Sequence, residues 1–148
     1  LPNSLEKFEI INNQHNIIEK LPKNLKSLCL CKTTFEDFDL NFLPKNLEVL
    51  EIFGLYFYKK LRGIPKSIKQ IFFQQCNFNN NVLDNLPNKL KFLDINNCQR
   101  LNKIILPSKK TKLISNIDVI VYIDEKRSIY DHVSGLFNNL LTGFKRKR

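Results

Sequence analysis

The sequence predicts an α/β repeat fold: a short solenoid with a parallel β-sheet, a mostly irregular convex side and a C-terminal capping helix. Leu-Pro or Ile-Pro dipeptides recur every 20 to 22 residues, and each is followed by the same spacing of apolar positions. After Ser128 the apolar spacing becomes helical. The length of 148 residues fits one domain.

The repeat is uninterrupted over five copies. Its dipeptides begin at Leu1, Leu21, Leu43, Ile64, Leu86 and Leu106. The apolar triplets that follow the first five are Leu5/Phe8/Ile10, Leu25/Leu28/Leu30, Leu47/Leu50/Ile52, Ile68/Ile71/Phe73 and Leu90/Leu93/Ile95.

This spacing predicts one short strand in each repeat. The last two members of a triplet are two residues apart and therefore point to one face of a strand. One unit cannot enclose its own apolar face, but stacked copies share a core in which each strand pairs with the next. The proline fixes φ and lacks an N–H, so it suits the turn that leads into the strand.

Small polar or thiol residues are expected eight positions after the first triplet residue, inside the turn that follows the strand. Those positions hold Asn13, Thr33, Leu55, Cys76 and Cys98, and Leu55 departs from the pattern. An aromatic residue recurs beyond them, and we expect it to pack on the convex side; these residues are Phe35, Phe57 and Phe78.

The pattern L-P-x-x-L-x-x-L-x-[IVLF] resembles that of leucine-rich-repeat proteins whose short repeats start with Leu-Pro. It is similar to FNIP-type repeat proteins, with Phe78-Asn79 as the literal Phe-Asn match, and to the repeat domains of bacterial ubiquitin-ligase effectors. The resemblance covers residues 1–115. It implies an open solenoid used for protein recognition, often joined to an F-box or a ligase domain, and by analogy the substrate-recognition part of a ubiquitin-ligase adaptor.

We divide the chain into a repeat array over residues 1–115, a C-terminal cap over 116–144 and a basic tail over 145–148. In the degenerate sixth repeat, Lys110 takes the place of the first triplet leucine and Leu113 persists. Ile117–Ile123 reads as a strand that pairs with the last strand of the array. A capping helix follows from Ser128, with the stripe Ile129, Val133, Leu136, Phe137, Leu140, Leu141 and Phe144; a membrane-surface helix is the alternative.

Composition restricts the partners. The net charge is +10, but it is spread along the chain, which disfavours nucleic acid as the partner. No apolar run reaches the length of about 18 residues that a membrane span needs. We expect a cytoplasmic monomer with reduced cysteines, with nuclear import through Lys145–Arg148 as an alternative. Because the sequence has no methionine, we also expect it to begin partway along a longer protein.

The sequence favours a protein that is not an enzyme and needs no cofactor. His15 and His132 lie in unrelated segments, and the four glycines are isolated. Cys29-x-Cys31 lacks a second pair of metal ligands at a suitable spacing, so we predict no metal site. A solenoid does bring distant residues together, which keeps a metal site open as an alternative. Cys76 and Cys98 are expected to be buried and unreactive.

The concave face carries the predicted partner site. Side chains between the core positions point outward there, and aromatic residues on three neighbouring strands stand beside acidic ones. Compositional bias is the alternative explanation. The candidate partner-binding residues are Val49, Glu51, Phe53, Gln70, Phe72, Gln74, Phe92 and Asp94.

Lysines at the turns give the second hypothesis. Lys23, Lys45 and Lys66 each follow the proline and should form a ridge along one edge. The simplest role of this ridge is a solvated edge that opposes aggregation. The ridge and the basic tail could instead bind nucleic acid or an anionic membrane, in which case binding would weaken steeply with salt.

Overall fold

The computed structural model of the protein describes residues 1–11, 21–32, 40–124 and 128–133, the last of these for the backbone alone. It is a mostly β solenoid of about five turns with almost no helix, and the described part includes a 3-10 turn at Leu40–Phe42. The strands are β1 (Lys7–Ile11), β2 (Ser27–Cys31), β3 (Val49–Phe53), β4 (Tyr56–Phe57), β5 (Gln70–Gln74), β6 (Asn77–Phe78), β7 (Val82–Leu83), β8 (Phe92–Asp94), β9 (Lys103–Leu106), β10 (Lys112–Ile114), β11 (Val119–Ile123) and β12 (Ser128–Val133).

The main sheet confirms the predicted stacking of the repeats. Its six strands are all parallel, in the order β1-β2-β3-β5-β8-β10. Adjacent strands align Leu28, Leu50, Ile71 and Leu93, and all four side chains are completely buried. The core is therefore one continuous column of aliphatic side chains behind the sheet.

The Leu-Pro turns recur with the same hydrogen bond. In the second repeat the N–H of Leu25 donates to the carbonyl of Pro22 at 3.1 Å, and the third repeat shows the same bond from Leu47 to Pro44. Proline contributes only its carbonyl to this turn, so its missing N–H costs nothing. The turn position predicted for proline is confirmed.

A second corner follows β2, β3, β5 and β8 and has no obvious signature in the sequence. Equivalent residues there adopt positive φ angles of 46°, 68°, 53° and 57°; they are Lys32, Gly54, Gln75 and Asn97. Only glycine takes this conformation without steric cost. The corner directs the chain out of the main sheet and, after β3 and β5, into the separate sheet of β4 and β6.

Two further sheets follow the main sheet along the coils. The pair β4 and β6 holds Phe57 and Phe78, which are buried and stack with ring centroids 4.8 Å apart. A four-stranded sheet in the order β12-β11-β9-β7 lies further along the coils. Phe57 and Phe78, which the sequence predicted to pack on the convex side, are thus part of the core. Phe35 lies outside the described residues, as do Asn13, His15 and Thr33.

The pairing predicted for Ile117–Ile123 is wrong. The strand begins at Val119 and pairs in parallel with β9, whereas the last strand of the main sheet is β10. Ser115 marks the change of direction, because its hydroxyl donates to the Ile117 carbonyl and accepts from the Ile117 N–H. The chain thus leaves the main sheet and joins the sheet of β9, where Val121 and Ile123 are completely buried.

In the sixth repeat, the segment between the turn and the strand is one residue shorter than in the fifth. Thr111, and not Lys110, takes the first triplet position, since its N–H donates to the Ser108 carbonyl as Leu90 does to Pro87. Thr111 is buried, and its hydroxyl donates to the Leu90 carbonyl at 2.9 Å. A polar side chain is tolerated there because its hydrogen bond is satisfied.

The structure has a strand where the predicted capping helix begins. Ser128–Val133, which the prediction placed in the first turns of that helix, form β12 and pair antiparallel with β11. The unpaired edge of β11 offers backbone partners along its length, and the β-branched and aromatic residues of this segment suit a strand. The remainder of the predicted helix, 134–144, and the basic tail lie outside the described residues.

The described residues contain no helix that is long and apolar enough to cross a membrane.

Candidate functional site on the outer face of the main sheet

The outer face of the main sheet is the surface whose side chains point away from the core, and it includes the candidate partner-binding residues. Strand register orders these side chains into three rows. The first row is Lys7, Ser27, Val49, Gln70, Phe92 and Lys112; the central row is Glu9, Cys29, Glu51, Phe72, Asp94 and Ile114; the third row is Ile11, Cys31, Phe53 and Gln74.

Phe72 and Phe92 form the aromatic centre of this face. Their ring centroids are 5.2 Å apart and both side chains are half-buried. The ammonium group of Lys112 lies 5.6 Å from the centre of the Phe92 ring, within the range of a cation–π contact. Phe53 belongs to the third row, so the structure brings two of the three predicted aromatic residues into direct contact.

The polar candidates differ in accessibility. Glu51 and Gln70 are exposed, and Val49 and Gln74 are half-buried. Asp94 is only 8% exposed, and its Oδ1 accepts a hydrogen bond of 2.9 Å from the N–H of Asn96. The carboxylate of Asp94 therefore holds the turn that ends β8 and is the least accessible of the candidate residues.

A cluster of potential metal ligands lies at the other end of the same face. The sulfur atoms of Cys29 and Cys31 are 3.5 Å apart, and Sγ of Cys31 is 3.8 Å from Oε1 of Glu9. One ligand atom from each of the three residues fits within a mutual distance of 4.8 Å. Glu9 is exposed and both thiols are half-buried, so solvent reaches the cluster.

The electrostatics of this cluster oppose loss of a proton. Burial raises the pKa of the Cys29 thiol to about 12, and the hydrogen bond and charge of Cys31 act in the same direction. The carboxylates of Glu51 and Glu9 raise this pKa further. The register of the repeats places Glu9 beside Cys29, a signal that was available in the sequence and that the search for metal ligands missed.

The other two cysteines belong to the core. Cys76 donates to the Ile52 carbonyl at 3.4 Å and Cys98 to the Phe73 carbonyl at 3.2 Å. The contact with Cys76 and burial together raise the pKa of the Cys98 thiol. The predicted burial of both side chains is confirmed.

The turn edge of the solenoid carries the lysine ridge, defined as Lys23, Lys45 and Lys66. All three side chains are exposed. Asparagines beside the ridge tie successive turns together, since Asn24 Nδ2 donates to the Asn3 carbonyl at 3.0 Å and Asn46 Nδ2 to the Lys23 carbonyl at 3.4 Å.

Charges alternate in sign over the first four coils where the chain enters the main sheet; the fifth coil places Lys91 next to Lys69. Backbone hydrogen bonds link Glu6 to Lys26, Lys26 to Glu48 and Glu48 to Lys69, one residue from each successive coil. We call these four residues the charge ladder. Nζ of Lys69 lies 2.8 Å from Oε2 of Glu48, and this lysine lowers the pKa of Glu48 through a hydrogen bond and its charge. The ladder lines a groove of about 600 Å³.

A second aromatic surface was missed by the sequence analysis. Tyr56 and Tyr58 are 60% and 67% exposed, and their rings stack with centroids 6.3 Å apart. Arg100, which donates to Asn79 Oδ1 at 3.3 Å, lines the same shallow cleft. The alternation of Tyr56, Phe57 and Tyr58 around a buried phenylalanine was the available signal.

Of the two histidines, His15 lies outside the described residues and His132 lies in β12, where only the backbone is described.

Comparison of the chain with protein-family models finds no match. Comparison with curated proteins finds none either. No solved structure matches the fold.

Proposed function

We propose that this protein is a non-catalytic interaction module that recognises another protein through the outer face of its main sheet. The contact between Phe72 and Phe92 carries the proposal. Two half-exposed aromatic rings in contact on neighbouring strands of the main sheet form a preformed apolar anchor site. Side chains fixed on a sheet lose little further freedom on binding.

The surroundings of this anchor define the chemistry of the partner. Exposed Glu51 is the neighbour of Phe72 in the central row, and exposed Gln70 is the neighbour of Phe92 in the first row. A partner that packs an apolar side chain against the two rings and places a basic group near Glu51 would satisfy both features. Charge at the rim of such a site governs association rate and specificity more than affinity.

Quantitative affinity capture from cell extract tests this proposal, with wild type compared with Phe72→Ala and Glu51→Lys. A partner that uses this face is lost from both variants and is retained by Tyr58→Ser, which alters an exposed aromatic residue on another wall. Truncation of a central aromatic anchor should weaken binding of the purified partner about 30-fold or more. Equal capture by all four folded proteins would refute the proposal.

The resemblance supports a narrower role, that of the substrate-recognition part of a ubiquitin-ligase adaptor. This role predicts that a captured partner becomes ubiquitinated in cells that express the protein. Ubiquitination of that partner should fall with Phe72→Ala and should not change with Tyr58→Ser. A partner that binds the face without any change in its ubiquitination would argue for a scaffold instead.

Exposure of the lysine ridge supports a second candidate function, binding of nucleic acid or an anionic membrane. The presence of Glu6 and Glu48 in the neighbouring groove argues against this second function. A salt titration with duplex DNA, RNA and phosphatidylserine vesicles separates the two candidates. Ridge binding should weaken steeply with salt and fall in a Lys23→Gln/Lys45→Gln/Lys66→Gln variant. No binding at low salt would eliminate it.

A further inference from the structure

We propose that Glu9, Cys29 and Cys31 form a binding site for one Zn²⁺ ion on the outer face of the main sheet. The two thiolates and the carboxylate would supply three ligands, and a water molecule the fourth. This inference does not rest on the proposed protein-binding function.

The distances fit a tetrahedral zinc ion. With Zn–S bonds of about 2.3 Å, two sulfur ligands of a tetrahedral site stand about 3.8 Å apart, and a sulfur and a carboxylate oxygen about 3.5 Å. The protein holds the corresponding atoms at 3.5 Å between Cys29 and Cys31 and 3.8 Å between Cys31 and Glu9. These two distances differ from the tetrahedral values by about 0.3 Å. The third distance, between Cys29 and Glu9, is within 4.8 Å, and rotation of the exposed Glu9 side chain would shorten it.

The sheet holds these ligands in place before any ion binds. Glu9 lies on β1 directly opposite Cys29 on β2, and the two strands pair over their full length. Cys29 and Cys31 are two residues apart on an extended strand and therefore share one face. Rigid elements that fix the donor atoms reduce the entropy that metal binding must overcome.

The donor set is selective for a thiophilic cation. Two sulfur atoms and one carboxylate suit Zn²⁺, while Mg²⁺ and Ca²⁺ require oxygen ligands. Glu51 stands beside Cys29 in the central row and adds negative charge near the site. A bound divalent ion would compensate this concentration of acidic groups and allow both thiols to ionise.

A disulfide between the same cysteines fits the geometry less well. Residues i and i+2 of a strand are about 6.6 Å apart between Cα atoms, with Cβ atoms pointing in parallel. A disulfide requires Cβ atoms about 3.8 Å apart, so β2 would have to buckle. Metal coordination leaves the strand and its pairing with β1 and β3 unchanged.

Optical titration with Co²⁺, a spectroscopic substitute for Zn²⁺, tests the proposal on the reduced wild-type protein under anaerobic conditions. We expect thiolate-to-cobalt charge-transfer absorption and the visible bands of a tetrahedral ion, saturating at one Co²⁺ per chain. One equivalent of Zn²⁺ should abolish the signal, and excess Mg²⁺ should not. A folded wild-type protein that gives no saturable thiolate absorption would overturn the proposal.

Variants assign the ligands. Cys29→Ser/Cys31→Ser should lose the charge-transfer band although Cys76 and Cys98 remain, so a band that persists would place the metal at the buried pair and contradict the site. Glu9→Gln should weaken Co²⁺ binding about tenfold or more, while Glu6→Gln, on the same coil and equally exposed, should leave affinity unchanged. Equal affinity of these two variants would remove Glu9 from the site. Unchanged circular dichroism establishes that each variant is folded.

Discussion

Leu50 shows at the level of one residue what stabilises this protein. It lies in β3 near the middle of the main sheet, its side chain is 0% exposed, and it is aligned with Leu28 on one side and Ile71 on the other. Its neighbours Val49 and Glu51 point to the outer face. The alternation of buried and outward residues thus separates core from surface within three consecutive positions.

We predict that Leu50→Ala lowers the free energy of unfolding by about 2–5 kcal/mol, because it removes buried methyl groups and leaves a cavity between two coils. Urea denaturation followed by circular dichroism measures this change. Glu51→Gln on the same strand should stay within about 0.5 kcal/mol of wild type. A loss of similar size in both variants would mean that the alternation does not define the core.

The raised pKa of Cys29 predicts that stability depends on pH. Its folded-state pKa is about 12 against an ordinary value of 9.0, so between those values the unfolded state has lost a proton that the folded state retains. The contribution of this thiol is complete below pH 9 and is lost as the pH rises towards 12. We expect the urea midpoint of the metal-free wild type to fall more between pH 8 and pH 10.5 than that of Cys29→Ser. Parallel curves for the two proteins would contradict this linkage.

The sequence predicts which residues face the core, but it does not predict what every outward-facing residue does. Alternation within each triplet correctly placed Phe72 and Phe92 on the outer face. It could not anticipate that Asp94 caps the turn after β8, because that hydrogen bond depends on where the strand ends. The proximity of Glu9 to Cys31 depends on the register between two neighbouring coils. A motif within one segment of the sequence does not contain that information.

At the scale of elements, the hydroxyl of Thr111 helps to hold the entry to β10 in place. Thr111 replaces an aliphatic residue at the entry to this strand, and its Oγ1 donates to the buried carbonyl of Leu90. We predict that Thr111→Val, which is isosteric but cannot donate, destabilises the protein by about 1–3 kcal/mol. Thr111→Ser keeps the donor and should cost less. Thermal unfolding of the three proteins gives the ranking, and a Val variant as stable as wild type would contradict it.

The elements that the sequence predicted well are those with a long, repeated pattern. Five-residue strands such as β2 and β3 follow from the spacing of their triplets. The two-residue strands β4, β6 and β7 carry too few positions for a periodic signal. Ser128–Val133 were assigned to a helix because Ile129 and Val133 also fit a helical stripe, and pairing with β11 overrides that local preference.

At the scale of the molecule, the repeat should behave as a removable unit. Deletion of residues 65–86 excises one whole coil and joins Ile64 to Pro87, which preserves the dipeptide and the sheet register. We predict a folded, less stable protein with a smaller dependence of unfolding free energy on urea. Deletion of residues 65–75 removes half a coil and should abolish cooperative unfolding. Similar behaviour of the two deletions would argue against modular stacking.

The charge ladder has a consequence for the fidelity of assembly. Because the aliphatic positions of the coils match, a coil could be skipped during stacking. For example, β1 could pair with β3 while the intervening coil is looped out. In that arrangement Glu6 would meet Glu48, and omission of the third coil would set Lys26 against Lys69. Like charges in adjacent strands are unfavourable, so alternating signs penalise every one-coil skip among the first four repeats while rewarding the correct order. The ladder thus lets a repetitive chain distinguish its next neighbour from the one beyond.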